Sequence, residues 1–229
     1  MGLKVCYSEE EVEPNFKEVT SRGASLFSNS GVFVEKYVEK GRHIEVQVFG
    51  NGLGDVISYG ERECSIQRRH QKVIEETPSP FVQTLGAKYD LRKNLTSCAK
   101  RLASQINYKS AGTVEFLVDD DTGKFYFLEM NTRLQVEHGI TEMVYGVDLV
   151  YFMLLQCEYE INNSGIPVDI LKGNLKYDTD GVEIPNGHAI EVRAYAENPV
   201  RDFAPSPGIL HNVDLIEDGE YEDYKVRDI

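Results

Sequence analysis

The sequence predicts an α+β protein built from antiparallel sheets with packing helices, and three observations carry that prediction. Residues His43 to Phe49 alternate strictly, with His43, Glu45 and Gln47 on one face and Ile44, Val46 and Val48 on the other, the period-two signature of a strand. Thr113 to Val118 and Phe125 to Asn131 are β-rich runs joined by the turn-rich Asp119-Asp120-Asp121-Thr122-Gly123, so they read as a β-hairpin. Leu91, Leu95, Cys98, Leu102 and Ile106 recur at helical spacing and predict an amphipathic helix.

The remaining elements follow in order. Ser8 and three glutamates look like a helix start, and Pro14 opens a helix whose stripe of Phe16, Val19, Leu26 and Phe27 should pack. Val32 to Val38 reads as a short strand, separated from the next by the polar turn Glu39 to Arg42. A turn at Asn51 to Gly54 leads into a strand from Val56 to Tyr59. The basic run Gln67 to Lys72 lacks periodicity and reads as an ordered loop. Val147 to Leu154 is nearly all apolar and predicts a buried helix, whereas 158–187 is polar and reads as a connector. His188 to Ala196 begins another alternating strand and Pro205-Ser206-Pro207-Gly208 a hard turn. The expected organisation is therefore one domain over 1–157, the connector 158–187, and the opening of a second unit over 188–229.

The 229 residues, 41% of them hydrophobic, suffice for a real core. A net charge of −14 repels a phosphate backbone and argues against nucleic acid as the main partner. No apolar run has the length of a membrane span, and the acidic start does not look like a targeting peptide, so the expectation is a cytoplasmic protein without a membrane partner. Cys6, Cys64, Cys98 and Cys157 are far apart, without zinc-binding spacing, and read as reduced thiols.

Chemistry concentrates in the predicted hairpin. Registered about its turn, it sets Glu115 opposite Glu129, with Cβ atoms roughly 5 Å apart. Two carboxylates so placed repel, and a divalent cation between them is the economical resolution. An all-oxygen donor set favours Mg²⁺ or Mn²⁺ over zinc. If the extended chain continues, Asn131, Arg133, Gln135 and Glu137 share the Glu129 face, while Phe116, Val118, Tyr126 and Leu128 take the buried one. Arg133 then offers a planar donor to an anion such as bicarbonate or phosphate, and Glu137 is placed to take a proton. The plainer reading is a solvated strand face, with His43 structural and His70 and Lys72 in a solvated loop.

A series of segments decides between these: EKYVEKGRHIEVQVFG, ERECSIQRRHQKVIEE, GTVEFLV, FYFLEMNTRLQVEHGITEMVYGVDLV and GHAIEVRAYAENP. Together they resemble the biotin carboxylase portion of biotin-dependent carboxylases, an ATP-grasp fold. Within that family Gly139 in HGITE and the run DFAPSPG resemble urea carboxylase, as in urea amidolyase. The resemblance implies that 1–157 is an ATP-grasp domain lacking its N-terminal part and Gly-rich loop, and that 188–229 begins the family's C-terminal domain. It implies metal ligation by Glu115, Glu129 and Asn131, and adenine contacts by Glu35, Lys36, Tyr37 and Val38, with Leu117 near the base. His43, Gln67 and His70 match residues around the ribose and phosphates. Lys72, Arg133, Gln135 and Val136 match the bicarbonate pocket, Glu137 the base acting on bicarbonate, and Arg227 the arginine that stabilises the biotin enolate. ATP, Mg²⁺ or Mn²⁺, bicarbonate and biotin on a carrier domain are the implied cofactors and partners, in a parent enzyme that forms homo-oligomers. By the same resemblance, the chain alone is expected to be an incompetent fragment. The competing readings are an acyl-CoA or pyruvate carboxylase, against which Gly139 and DFAPSPG speak, and a non-catalytic nucleotide-binding module.

Overall fold

The computed structural model describes residues 3–209, 211–212, 219–220 and 225–226. Two compact units divide at Lys40/Gly41. In the first, helix α1 (Val12–Phe27) follows a short 3-10 turn at Glu9–Glu11 and ends at Ser28 in the left-handed conformation. Ion pairs Lys4–Glu18, Lys17–Glu13 and Arg22–Glu18 line it. Phe16 and Leu26, expected to pack, are exposed. Residues 32–38, read as a strand from their β-rich composition, form no ladder: β-propensity alone makes no strand without a partner.

The second unit centres on a six-stranded antiparallel sheet. Its strands are β1 (Gly41–Asn51), β2 (Val56–Arg68), β3 (Gln71–Thr77), β4 (Lys109–Asp119), β5 (Phe125–Asn131) and, after two further short strands, β8 (Ala189–Val192), in the order β5-β4-β1-β2-β3-β8. Between β3 and β4 lie a short helix α2 (Pro80–Gln83), capped by Ser79, and the longer α3 (Leu91–Gln105). Three helices follow β5: α4 (His138–Tyr145), α5 (Leu149–Ile161) and α6 (Val168–Lys172). The short strands β6 (Lys176–Tyr177) and β7 (Glu183–Ile184) pair with each other, as do β9 (Glu197–Asn198) and β10 (Ala204–Pro205).

Each face of the sheet has its own core. Ile44, Val46 and Val48 of β1 pack with Val114, Phe116 and Val118 of β4 beneath Leu91, Leu95, Ala99 and Ala103 of α3. On the other face Phe49, Ile57, Tyr59 and Ala111 meet Ile140, Val144, Leu149 and Phe152 of α4 and α5, along with Ile166 and Leu171. The segment 158–187, expected as a connector, thus places two fully buried side chains in the core. Helix α5 is capped by Asp148, which accepts from Tyr151 N at 2.7 Å. It buries Leu149 and Phe152 but exposes Val150, Tyr151 and Leu154, because only one side of an apolar run finds a partner. Among the described residues no single helix is long and apolar enough to cross a membrane.

The basic run read as a loop is a hairpin. Strand β2 extends to Arg68, and Arg69 and His70 form a two-residue turn at φ +52° and +65°, the left-handed geometry that matches strand twist. Its polarity hid it: Glu61, Arg62 and Glu63 are all buried, so no apolar alternation marks the strand.

Two of the sheet's register slips set the facing of β2 against β1 and of the β4–β5 hairpin. Val46 pairs with Glu61 but Val48 with Ser58, so Tyr59 and Gly60 together oppose Gln47. This bulge changes the parity of β2 and brings Arg62 to the face that carries Glu45. In the hairpin Glu115 pairs with Glu129, as expected, but Phe116 pairs with Phe127, leaving Leu128 as the extra residue. Tyr126 consequently opposes Leu117 instead of joining the core face, where Phe125 and Met130 pack.

Candidate functional site

On the sheet face that carries α4 to α6, the part those helices leave uncovered floors a cavity of about 320 Å³ lined by His43, Gln67, His70, Lys72, Glu115, Glu129, Asn131, Arg133, Gln135, Val136, Glu137 and Arg193. Eleven of these twelve were singled out from sequence. They come from every strand of the sheet or its flanks: β4 and β5 supply Glu115 and Glu129, the turn before α4 Glu137, β1 to β3 and their turn the histidines and Lys72, and Arg193 follows β8. The chain after Asn131 does not stay extended as expected. It turns at 136–137, and Glu137 is the residue before α4, with φ −71° and ψ 10°. Gln135, Val136 and Glu137 reach the cavity by that turn.

Lys72 is the hub. Its Nζ lies 2.5 Å from Glu45 Oε2, 2.6 Å from Glu137 Oε1 and 3.1 Å from Glu115 Oε1. Burial works against its charge, but Glu45 and Glu137 more than compensate, so its pKa is raised. Glu137 is 2% exposed and its second oxygen accepts from Arg193 Nη2 at 2.8 Å. Both its oxygens therefore hold a cation.

Glu115 receives Asn131 Nδ2 at 2.8 Å and Gln135 Nε2 at 3.0 Å on Oε1, while His43 Nε2 stands 2.8 Å from Oε2. Desolvation opposes its charge, but His43 and Lys72 hold its pKa down at about 2. Gln67 Nε2 contacts His43 Nδ1 at 2.8 Å. If that amide donates, the imidazole proton sits on Nε2, facing Glu115.

Beneath the cavity lies Arg62, fully buried and missed from sequence. Its five N–H groups are all used: Nε donates to Glu45 Oε1 at 2.6 Å, Nη1 to Gln47 Oε1 at 2.6 Å and Thr141 Oγ1 at 3.0 Å, and Nη2 to Thr113 Oγ1 and Gln135 Oε1 at 3.2 Å each. Glu45, which desolvation alone would raise, is held below the usual carboxylate range by Arg62 and Lys72. Arg193 was missed too, although it falls in the strand expected over 188–196. Among the expected residues that line the cavity, the three carboxylates Glu115, Glu129 and Glu137 outnumber the cations Lys72 and Arg133, the one signal pointing to it.

Glu115, Glu129 and Asn131 fit a hard divalent cation. The two carboxylates oppose one another, Glu129 is exposed with no ion-pair partner among the described residues, and Asn131 keeps its Oδ1 as a donor oxygen. Two other groupings, His43-Glu45-Glu115 and Glu45-Cys64-Glu137, have ligand atoms within 4.8 Å of one another. There Lys72 and Arg62 already supply the positive charge. Burial pushes the Cys64 thiol well above its usual value, which disfavours a thiolate ligand.

Three other expectations are placed differently. Leu117 lies on the Glu115 face, opposite His43 and Tyr126, but does not line the cavity. Glu35, Lys36, Tyr37 and Val38 belong to the first unit, with the Tyr37 ring 6.0 Å edge-on from that of Tyr7. Arg227 lies outside the described residues.

Residues 1–158 match the ATP-binding domain of the carbamoyl-phosphate synthase L chain. The chain belongs to that family. A provisionally named urea carboxylase of Emericella nidulans is 59% identical over 215 residues, 93% of this chain and 17% of the relative. The chain thus spans about one sixth of that relative. Among solved structures, the Hydrogenobacter thermophilus 2-oxoglutarate carboxylase biotin carboxylase domain, determined with MgADP and bicarbonate, is 40% identical with a TM-score of 0.67, covering 89% of this chain and 41% of that one. The Kluyveromyces lactis urea carboxylase is 42% identical with a TM-score of 0.61, over 86% of this chain and 15% of that one. The family member described here therefore has the biotin carboxylase type of ATP-grasp fold, and its sequence is similar to those of urea carboxylases.

Proposed function

We propose that this domain is the nucleotide, metal and bicarbonate site of a urea carboxylase, in which ATP and bicarbonate carboxylate biotin. The observation that carries the reading is the buried Glu137 carboxylate, held between Lys72 and Arg193 in the same cavity as the opposed Glu115 and Glu129. In this reading 1–157 is the ATP-grasp domain and 188–229 opens the domain that follows it. Mg²⁺, or Mn²⁺, held by Glu115, Glu129 and Asn131, would neutralise the phosphate oxygens of ATP. His43, Gln67 and His70 serve the ribose and phosphates, and Glu35 to Val38 with Leu117 the adenine. Arg133, Gln135, Val136 and Lys72 hold bicarbonate.

Glu137 takes the bicarbonate proton, and the oxygen so freed attacks the γ-phosphorus as its bond to ADP breaks, giving carboxyphosphate and ADP. Carboxyphosphate then breaks down to CO₂ and phosphate. The phosphate, or an equivalent base, removes the N1 proton of biotin, and N1 attacks CO₂ while Arg227 stabilises the enolate. Biotin arrives on a carrier domain, and urea is the final acceptor. The 59% identity to a provisionally named urea carboxylase, and Gly139, favour this acceptor over the acyl-CoA and pyruvate alternatives. Homo-oligomeric assembly and a cytoplasmic setting belong to the same proposal.

The test is bicarbonate-dependent ATP hydrolysis by the full-length enzyme. Glu137→Gln should lower turnover by about 10²–10⁴-fold while nucleotide affinity stays unchanged. Lost nucleotide binding with retained bicarbonate dependence would instead make Glu137 a metal ligand.

A further inference from the structure

Behind Glu137 the sheet holds two further acids, one buried and one half-buried, that the proposed reaction does not use. Glu75 of β3 and Glu191 of β8 are direct cross-strand partners, and Glu75 is fully buried. Like charges so paired repel. Between them and the cavity lies Arg193, fixed by its backbone N–H donating to Val73 O at 2.9 Å. Its Nε is 2.8 Å from Glu75 Oε1 and 3.6 Å from Glu191 Oε1, while Nη2 bonds Glu137 Oε2 at 2.8 Å. One guanidinium thus serves three carboxylates.

The Glu75 contact is electrostatic only: among the described residues neither Glu75 oxygen, nor Arg193 Nε, has a hydrogen-bond partner. A buried carboxylate that lacks hydrogen bonds is an expensive anion. The groups facing it are Arg193 and Glu191 from β8 and its extension, Glu137 before α4, and Glu45 of β1. Three of these four repel its charge.

We propose that Glu75 is a positioning residue that sets the basicity of Glu137 by competing with it for Arg193. With Glu75 neutral, Arg193 is given to Glu137, whose carboxylate becomes a stabilised, weaker base. When Glu75 loses its proton the charge of Arg193 is shared, and Glu137 binds a proton more readily. The inference rests on the reading of Glu137 as the base for bicarbonate. Burial, with Glu191 and Glu137 adding to it against Arg193, raises Glu75 to about 7, so the exchange falls in the working range of most enzymes.

The experiment is the pH profile of bicarbonate-dependent ATP hydrolysis by the full-length enzyme, comparing parent with Glu75→Gln. The two should coincide near pH 6, where Glu75 is protonated. The parent should pull ahead on the order of threefold by pH 8, with the change centred near 7 and the KM for ATP unaltered. Arg193→Lys, whose single nitrogen cannot stand at both the Nε position beside Glu75 and the Nη2 position beside Glu137, should remove the same pH-dependent step and decides the matter if Glu75→Gln does not fold. A parent-to-variant ratio that is flat with pH, or an effect confined to the KM for ATP, overturns the proposal. Glu137→Gln run alongside separates the two failures. If it keeps bicarbonate-dependent turnover, the base assignment has failed; if it loses turnover while the Glu75→Gln ratio is flat, only the positioning role has.

Discussion

Arg62→Met tests whether the floor of the cavity is held electrostatically. The substitution keeps most of the side-chain volume but deletes five hydrogen bonds and leaves Glu45, fully buried, with Lys72 as its one close cation. Breaking a buried ion pair by removing one partner costs roughly 3–5 kcal/mol. For a chain of this size each kcal/mol lowers the melting temperature by about 2–4 °C, so the expected fall is roughly 6–20 °C. The freed amide and hydroxyl groups of Gln47, Gln135, Thr113 and Thr141 push toward the upper end. Calorimetry of the purified parent and variant measures it. The double variant Arg62→Met/Glu45→Gln should recover part of the loss, because the uncompensated charge has gone with the cation. A single variant melting within about 2 °C of the parent would refute the argument and mean that water or Lys72 alone can satisfy Glu45.

Three further outcomes are expected. Glu75 has a folded-state pKa raised from 4.5 to about 7, so its contribution to stability is fully present below 4.5 and lost as pH rises through 7. Melting curves of Glu75→Gln and parent should therefore agree at pH 4 and separate above 7, with the variant higher; a constant gap contradicts this. Gly60→Ala should be severely destabilising, since Gly60 sits at φ +66° and a Cβ there would lie 1.8 Å from Tyr145 Oη. Tyr145→Phe in the same chain should relieve only part of the loss, because the ring carbon Cζ is also close, at 2.5 Å; an unchanged melting temperature for Gly60→Ala rejects the close approach. Glu129→Gln should weaken MnATP binding by at least about tenfold, roughly 1.4 kcal/mol, without moving the melting temperature, since Glu129 is exposed. Isothermal titration giving equal affinity removes Glu129 from the metal site.

Elements with one wet or one apolar face were legible in the sequence. Strand β1, helix α3 and the Glu115–Glu129 register were all expected, because period and turn chemistry fix them locally. The β2–β3 hairpin was not, because its interior charges satisfy one another: Arg62 on Glu45, Arg92 on Glu61, Arg42 on Glu63. A buried strand that carries such pairs looks like a solvated loop when read one residue at a time. The bulges at Tyr59-Gly60 and Leu128 were equally silent, and each inverts the facing of what lies beyond it. That explains why Tyr126 was assigned to the wrong side and Arg62 to no side. Glu115, Glu129, Asn131, Arg133, Gln135 and Glu137 were reached from the hairpin's register, and the other site residues by resemblance to a family. Their convergence needed the turn at 136–137, which an extended continuation from Asn131 does not supply.

The strand that flanks Glu75 is also the last of the six to be synthesised. Once a growing chain has delivered Asn131, five strands can pair, yet β3 still presents an open edge with the acids of the cavity beside it and no Arg193 to meet them. Some sixty residues of helices and turns must follow before Ala189–Val192 can close that edge. During translation at roughly 5–20 residues per second this leaves an interval of about 3–12 seconds in which the sheet is exposed to pairing with other chains. Capping of β3 and completion of the charge balance around Glu137 are then a single event, so a nascent domain cannot acquire a finished acid-base centre before β8 has paired with β3.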